Sequence, residues 1–454
     1  MRTSVVVCLI LMSLSGVLSM QAQSRRSAPA STKTTSDVVS RVTRVKGLKL
    51  AGTFSPAPAD AFCLDNFGIP CYSPQQIRKA YGLTAILDAG YTGVGQTIII
   101  IDSFGSPTIA QDLKTFDAGY GLPDPPSLTV LAPLGTVPFD PTNSDQVGWA
   151  FETTLDVEWA HAIAPGANIV LLTSPVSETE GVQGMPQFLS LEKYALAHNL
   201  GNIISQSWAA TENTLFDNAG QEVIANFESF YEAAAQKNVT VLASAGDSGS
   251  SNVELNGTTY YPFPTVGFPA SSPFVTAVGG TTLYANGAGN YQFEISWIGG
   301  GGGVSQQFSE PAYQNLLPAS VQQTLADHRG LPDVAYNADP NTAIFVYIGF
   351  FPNPNDNGYY FIGGTSEGSP QWAGIIADAN QLAGHPLGFL NPQLYSLGAS
   401  GGQSQFLHDI TFGSNAYNGF NGIPGYSATA GWDFTTGWGT PKLDKLVSEL
   451  AKQQ

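Results

Sequence analysis

Cysteine, histidine, basic side chains and long apolar runs are all scarce in this chain, and each scarcity narrows what it can be. There are three cysteines in 454 residues. Cys8 lies in the apolar N-terminal stretch, so one pair remains, Cys63 and Cys71. In an exported chain that pair is expected to form a disulfide, the alternative being two free buried thiols. After the N-terminus no segment approaches the roughly 20 apolar residues of a membrane span. Lys and Arg number 17 against 35 Asp and Glu, which argues against nucleic acid as a partner.

The few cations are unevenly placed. Arg2, Arg25, Arg26, Lys33, Arg41, Arg44, Lys46 and Lys49 stand in the first sixty residues, against Asp37 and Asp60. The remainder is strongly acidic and relieves its self-repulsion as carboxyls protonate. That fits an acidic working environment, or else a surface kept acidic for solubility.

Residues 1–22 carry Arg2, an apolar run from Val5 to Leu18 and small residues before a plausible cut, which reads as a signal peptide of an extracellular protein. Residues 23–61, rich in Ser, Thr, Ala, Pro and basic side chains without apolar periodicity, read as a short basic pro-segment or linker. From 62 to 454 the chain reads as one domain. With 43% hydrophobic residues it can bury a large core. Apolar runs of strand length recur at 96–102, 167–173, 202–208, 239–245 and 274–278. Helical patterns lie between them, at 151–164, 186–198 and 224–237. Strand alternating with helix, each strand apolar throughout, is the pattern of a mostly parallel α/β sheet covered on both faces.

The segment YYFIGGTSEGSPQWAG (359–374) takes an apolar strand through Gly363-Gly364 to Thr365-Ser366 and into a helix. Ser366 there is either a helix cap or a nucleophile near the positive end of the helix dipole. A serine nucleophile needs a base. The five histidines are His161, His198, His328, His385 and His408. None is followed by glycine at a strand end, and His161, the best placed, falls on a helix where a packed histidine is the simpler reading.

Carboxylates fill the vacancy. Glu152 and Asp156 stand four residues apart and share one helix face, as a solvated acidic pair or as a base that shares a proton and works in acid. Asp247, in the turn Ala-Gly-Asp-Ser-Gly after an apolar run, either fixes an Asx-turn or, protonated, donates to an oxyanion. Asp409-Ile410 and the Thr429 to Asp433 loop offer oxygen ligands suited to calcium, although Asp in Gly-rich turns is ordinary.

Together these segments resemble the sedolisin family of serine-carboxyl peptidases, over roughly Tyr72 to Leu450. The resemblance implies a subtilisin-like fold, acid activity on protein or peptide substrates, and a Ser-Glu-Asp triad. The family's E-x-x-x-D motif falls on Glu152 and Asp156, its A-G-D-x-G motif on Asp247, and its G-T-S-x-x-x-P motif on Gly364-Thr365-Ser366 through Pro370. Its single calcium site falls on Asp409, Ile410, Thr429, Gly431 and Asp433. Asp102, where some members carry a glutamate, and Trp208 match an accessory relay.

Four departures accompany the resemblance. Glu367 follows the nucleophile position where small residues are usual; Asp102 is a shorter carboxylate than glutamate; Thr429 replaces a glycine. The pro-segment is also far shorter than a folded prodomain, so the basic residues 25–49 are expected to dock on the acidic body. A monomeric peptidase follows, or an inactive relative retained as a binding module.

Overall fold

The computed structural model describes residues 43–44, 57, 62–417 and 422–452. Of the two units into which the chain divides, 1–34 and 35–454, all of these belong to the second. The expected signal peptide and nearly all of the basic pro-segment lie outside the described residues.

The apolar runs form the middle of an eight-stranded sheet. In spatial order its strands are Tyr291–Ser296, Thr276–Ala285, Thr240–Ser244, Ile203–Gln206, Thr97–Ser103, Asn168–Ser174 and Leu128–Leu131, with Val334–Asn337 also paired to Thr276–Ala285. All neighbours run parallel except Tyr291–Ser296, which is antiparallel to Thr276–Ala285. The continuous Ile98–Ile101 run follows from burial on both faces: Ile98 and Ile100 enter one core, Ile99 and Ile101 the other.

Helices cover both faces. The Ser144–Ile163 and Gly368–Ala383 helices supply Leu155, Trp159, Trp372 and Ile375 to the first core. The Met185–Ala197 and Asn218–Gln236 helices supply Phe188, Leu191, Ile224 and Phe227 to the second. The subtilisin-like, mostly parallel α/β architecture expected from the sequence is therefore present.

Two helices extend beyond their sequence patterns. Ser144–Ile163 starts seven residues before Phe151 because Asn143 caps it, accepting from the Asp145 and Gln146 N–H groups at 3.0 and 3.3 Å. Asn218–Gln236 starts early for the same reason, with Asp217 accepting from Gly220 N–H at 2.7 Å. The two helices of the first core cross closely at Gly374, where a Cβ would come 2.7 Å from that of Ile163.

Cys63 and Cys71 are joined by a disulfide. It stands just before Tyr72, whose hydroxyl donates to the Leu283 carbonyl at 2.8 Å and so ties this entry segment to the sheet. A separate antiparallel pair, Ile344–Ile348 with Gly358–Ile362, leads into the Gly363-Gly364 turn. Its free side pairs Thr43 and Arg44 with Phe361 and Tyr360.

The chain winds outward in both directions from Thr97–Ser103, toward Asn168–Ser174 on one side and Ile203–Gln206 on the other. Such a reversal opens a crevice at the carboxyl ends of the strands, where open parallel sheets bind ligands. Asp102, Ser207, Trp208 and Asp247 all lie at or just beyond those ends.

Candidate active site

Glu152 and Asp156 occupy a helix that is buried nearly all round, with 4% and 0% of their surfaces exposed. The solvated-pair reading is thereby excluded. Burial holds the Asp156 carboxyl well above the usual carboxylate range, the neighbouring charges of Asp102 and then Glu152 push it further, and a hydrogen bond from Ser207 opposes them. Ser207 Oγ lies 2.9 Å from Asp156 Oδ1 and 3.4 Å from the Ser366 carbonyl oxygen, so one hydroxyl touches both the acidic helix and the serine turn.

Ser366 sits in the short 3-10 turn Thr365–Glu367 that precedes the Gly368–Ala383 helix. No side chain caps that helix, so the capping reading of Ser366 fails. The turn requires its glycines. Gly364 adopts φ 145°, and a Cβ on Gly363 would meet Pro340 N at 2.5 Å.

Asp247 follows the Thr240–Ser244 strand and grips the same turn. Its Oδ1 accepts from Thr365 N–H at 2.7 Å and from Thr365 Oγ1 at 2.9 Å. Thr365 Oγ1 in turn accepts from Gly246 N–H at 3.0 Å. Asp247, Thr365 and Ser366 line one cleft, together with Ala209, Val253 and Glu180. Glu180 accepts from Thr211 N–H at 2.8 Å and from its hydroxyl at 3.1 Å, and burial raises its carboxyl to about 7.

His161 belongs elsewhere. Fully buried, its Nε2 lies 2.8 Å from the Pro123 carbonyl oxygen and 3.3 Å from Asp117. It is the packed histidine that the sequence suggested.

Asp102 and Trp208 are both fully buried. Burial raises the Asp102 carboxyl to about 7, offset in part by the nearby Thr153 hydroxyl. Among the described residues neither Asp102 oxygen nor Trp208 Nε1 meets the geometric criteria for a hydrogen bond. Trp208 packs instead against Phe188 and Phe227, with ring centroids 4.8 and 5.9 Å away.

Of the candidate calcium residues, Asp409 and Gly431 touch each other, as do Thr429 and Asp433. Gly431 N–H donates to both Asp409 oxygens at 3.2 and 3.1 Å, and Thr429 N–H donates to Asp433 Oδ2 at 3.0 Å. Asp433 Oδ1 is engaged by Thr435 and Thr436 of its own loop. Among the described residues no group of three or more His, Cys, Asp or Glu side chains gathers around a metal position. A cation here would use two carboxylates and backbone carbonyls, an oxygen set that fits a hard ion.

Residues 141–393 match the model of the subtilase family. Over 355 residues the chain is 36% identical to kumamolisin of Bacillus sp. (strain MN-32), covering 76% of this chain and 57% of that protein. Sedolisin of Pseudomonas sp. (strain 101) is 30% identical over 364 residues, 77% of this chain and 57% of the relative. The solved structure of Pseudomonas sedolisin, a serine-carboxyl proteinase complexed with two molecules of pseudo-iodotyrostatin, aligns with TM-score 0.68 and 29% identity. That alignment covers 84% of this chain and 98% of the other.

The chain belongs to the sedolisin family. It spans about 57% of the length of each of these two curated relatives. Of the motif residues picked out in the sequence, Asp247 and Ser366 line one cleft, and Ser207 links Asp156 to the Ser366 backbone. Ser207, Thr365 and Glu180, which touch Asp156, Asp247 and the cleft, were given no role of their own in the sequence. Hydroxyls and a lone glutamate carry no signal until the fold sets them beside a carboxylate or a cleft.

Proposed function

We propose that this chain is a secreted, acid-active serine endopeptidase with Ser366 as nucleophile, Glu152 as its base, Asp156 as the partner of that base, and Asp247 as an oxyanion donor. The observation that carries the reading is the Ser207 hydroxyl bridging buried Asp156 to the Ser366 backbone, with His161 engaged at Pro123 and Asp117.

Glu152 takes the Ser366 Oγ proton as Oγ attacks the scissile carbonyl carbon. The negative charge that develops on the carbonyl oxygen receives a hydrogen bond from protonated Asp247. Collapse breaks the C–N bond, and the amine leaves with the proton held by Glu152. Water, activated by the same glutamate, then frees the acid product and restores Ser366. Burial, Asp102 and Glu152 hold Asp156 above the usual carboxylate range, which favours a proton shared by the pair.

Residues 1–22 would direct export and 23–61 would form the pro-segment. A calcium ion would be held by the Asp409 and Asp433 carboxylates and the carbonyls of Ile410, Thr429 and Gly431. Its contribution would be to tie down that loop. The substrates would be unfolded proteins or peptides, and the enzyme would act as a monomer.

Hydrolysis of an unfolded protein at about pH 4 tests the assignment. Ser366→Ala and Glu152→Ala are expected to lose activity by about 10³-fold or more, while His161→Gln stays active. Loss in His161→Gln with Glu152→Ala still active would point to a histidine-dependent enzyme. An inactive wild type would point to a binding module.

A further inference from the structure

Glu367, directly after the candidate nucleophile, is the acidic residue for which the family motif gives no use. Its side chain is fully buried. Oε1 accepts from Asn337 Nδ2 at 2.6 Å, while Oε2 has no hydrogen-bond partner among the described residues. The charged groups acting on it are Asp247 and Asp339, with Tyr336 a third titratable neighbour and no cation among them. Burial, the largest influence, holds the carboxyl well above the usual range.

Its partner is immobilised. Asn337, at the end of the Val334–Asn337 strand, accepts from Leu283 N–H at 3.1 Å and from the Thr342 hydroxyl at 2.8 Å. It also donates to the Thr342 carbonyl at 2.7 Å. Gln371 holds the Glu367 carbonyl from the following helix at 2.9 Å. Ser366 therefore lies between two anchors, Thr365 on Asp247 and Glu367 on Asn337.

We propose that Glu367 is a positioning residue: through Asn337 it fastens the nucleophile turn to the sheet and fixes the direction in which Ser366 is presented. The proposal rests on Ser366 being the nucleophile. A surface carboxylate would act on substrate charge and change KM. An anchor behind the turn instead acts on alignment, where an error of about 1 Å can lower the rate by about 10²-fold.

The test is steady-state kinetics at about pH 4 on Glu367→Ala and Glu367→Gln, with Ser366→Ala as control. Glutamine keeps the acceptor that Asn337 needs and cannot ionise. The expected result is a fall in kcat of about 30-fold for Glu367→Ala with KM within about twofold, and recovery to within about threefold of wild type in Glu367→Gln. Adding Asn337→Ala to Glu367→Ala should lower kcat little further, since one link is already cut. Should Glu367→Ala fail to fold, Glu367→Met, which fills the space without an acceptor, takes its place with the same expectation. Unchanged kcat in the alanine or methionine variant, equal impairment in Glu367→Gln, or a change in KM alone would overturn the proposal. If Ser366→Ala remained active, the reading of the nucleophile would fall first, an outcome distinct from these.

Discussion

Thr365 gives both its N–H and its hydroxyl to the same Asp247 oxygen, at 2.7 and 2.9 Å. With Oδ1 occupied by two donors, a proton on this carboxyl belongs on Oδ2, the oxygen that would then donate toward a developing oxyanion. Thr365 thus sets the orientation of the acid as well as the start of the nucleophile turn.

Removing the hydroxyl alone should expose that role. Thr365→Val is expected to lower kcat by about 10- to 100-fold with little change in KM, and Thr365→Ser to stay near wild type. Parallel kinetics on the two variants decide it. Equal loss in both would mean that the methyl packing matters and the bond to Asp247 does not.

Stability should fall as pH rises. Burial raises Asp102 and Asp112 from 3.8 to about 7, and Glu180 and Glu228 from 4.5 to about 7. A carboxyl whose pKa is higher folded than unfolded binds its proton more tightly when folded. Its contribution is complete below the unfolded value and is lost as pH climbs through the folded one. Thermal unfolding between pH 3 and 8, a range spanning both values, should therefore show a declining midpoint, steepest on approach to neutrality. Asp112→Asn, which leaves the Thr108 hydroxyl a partner, should flatten that decline. A midpoint that rose toward pH 7 would contradict the assignment of these groups as neutral acids.

Chelation gives a separate expectation. Asp433 braces its own loop through Thr435 and Thr436, so replacing it would destabilise the protein with or without an ion. Among the described residues one backbone N–H, that of Gly431, donates to Asp409, which makes Asp409→Asn the cleaner probe. Wild type and Asp409→Asn should melt together after chelator treatment, and added calcium should raise the wild-type midpoint alone. The same rise in both proteins would remove Asp409 from the ligand set.

Much of this was legible in the sequence because its causes are local. Ile98 to Ile101 can only be a strand buried on both faces, and Gly363-Gly364 before Thr365-Ser366 can only be a tight turn. The early start of the Ser144–Ile163 helix was missed because Gly148 and polar residues interrupt the apolar pattern, while the decisive cap, Asn143, acts through side-chain geometry. Whether Glu152 and Asp156 meet water or core depends on elements that cover their helix from distant parts of the chain. Glu367 is the clearest case. In sequence it stands beside the proposed nucleophile, yet its carboxyl is bonded to Asn337, thirty residues away.

The central claim is that carboxylates, not a histidine, activate Ser366, and the pH dependence of kcat/KM tests it most directly. The expected profile has its maximum near pH 4, where a histidine of ordinary pKa near 6.5 would be protonated and useless as a base. Activity that rises through about pH 6.5 and peaks above 7 would contradict it.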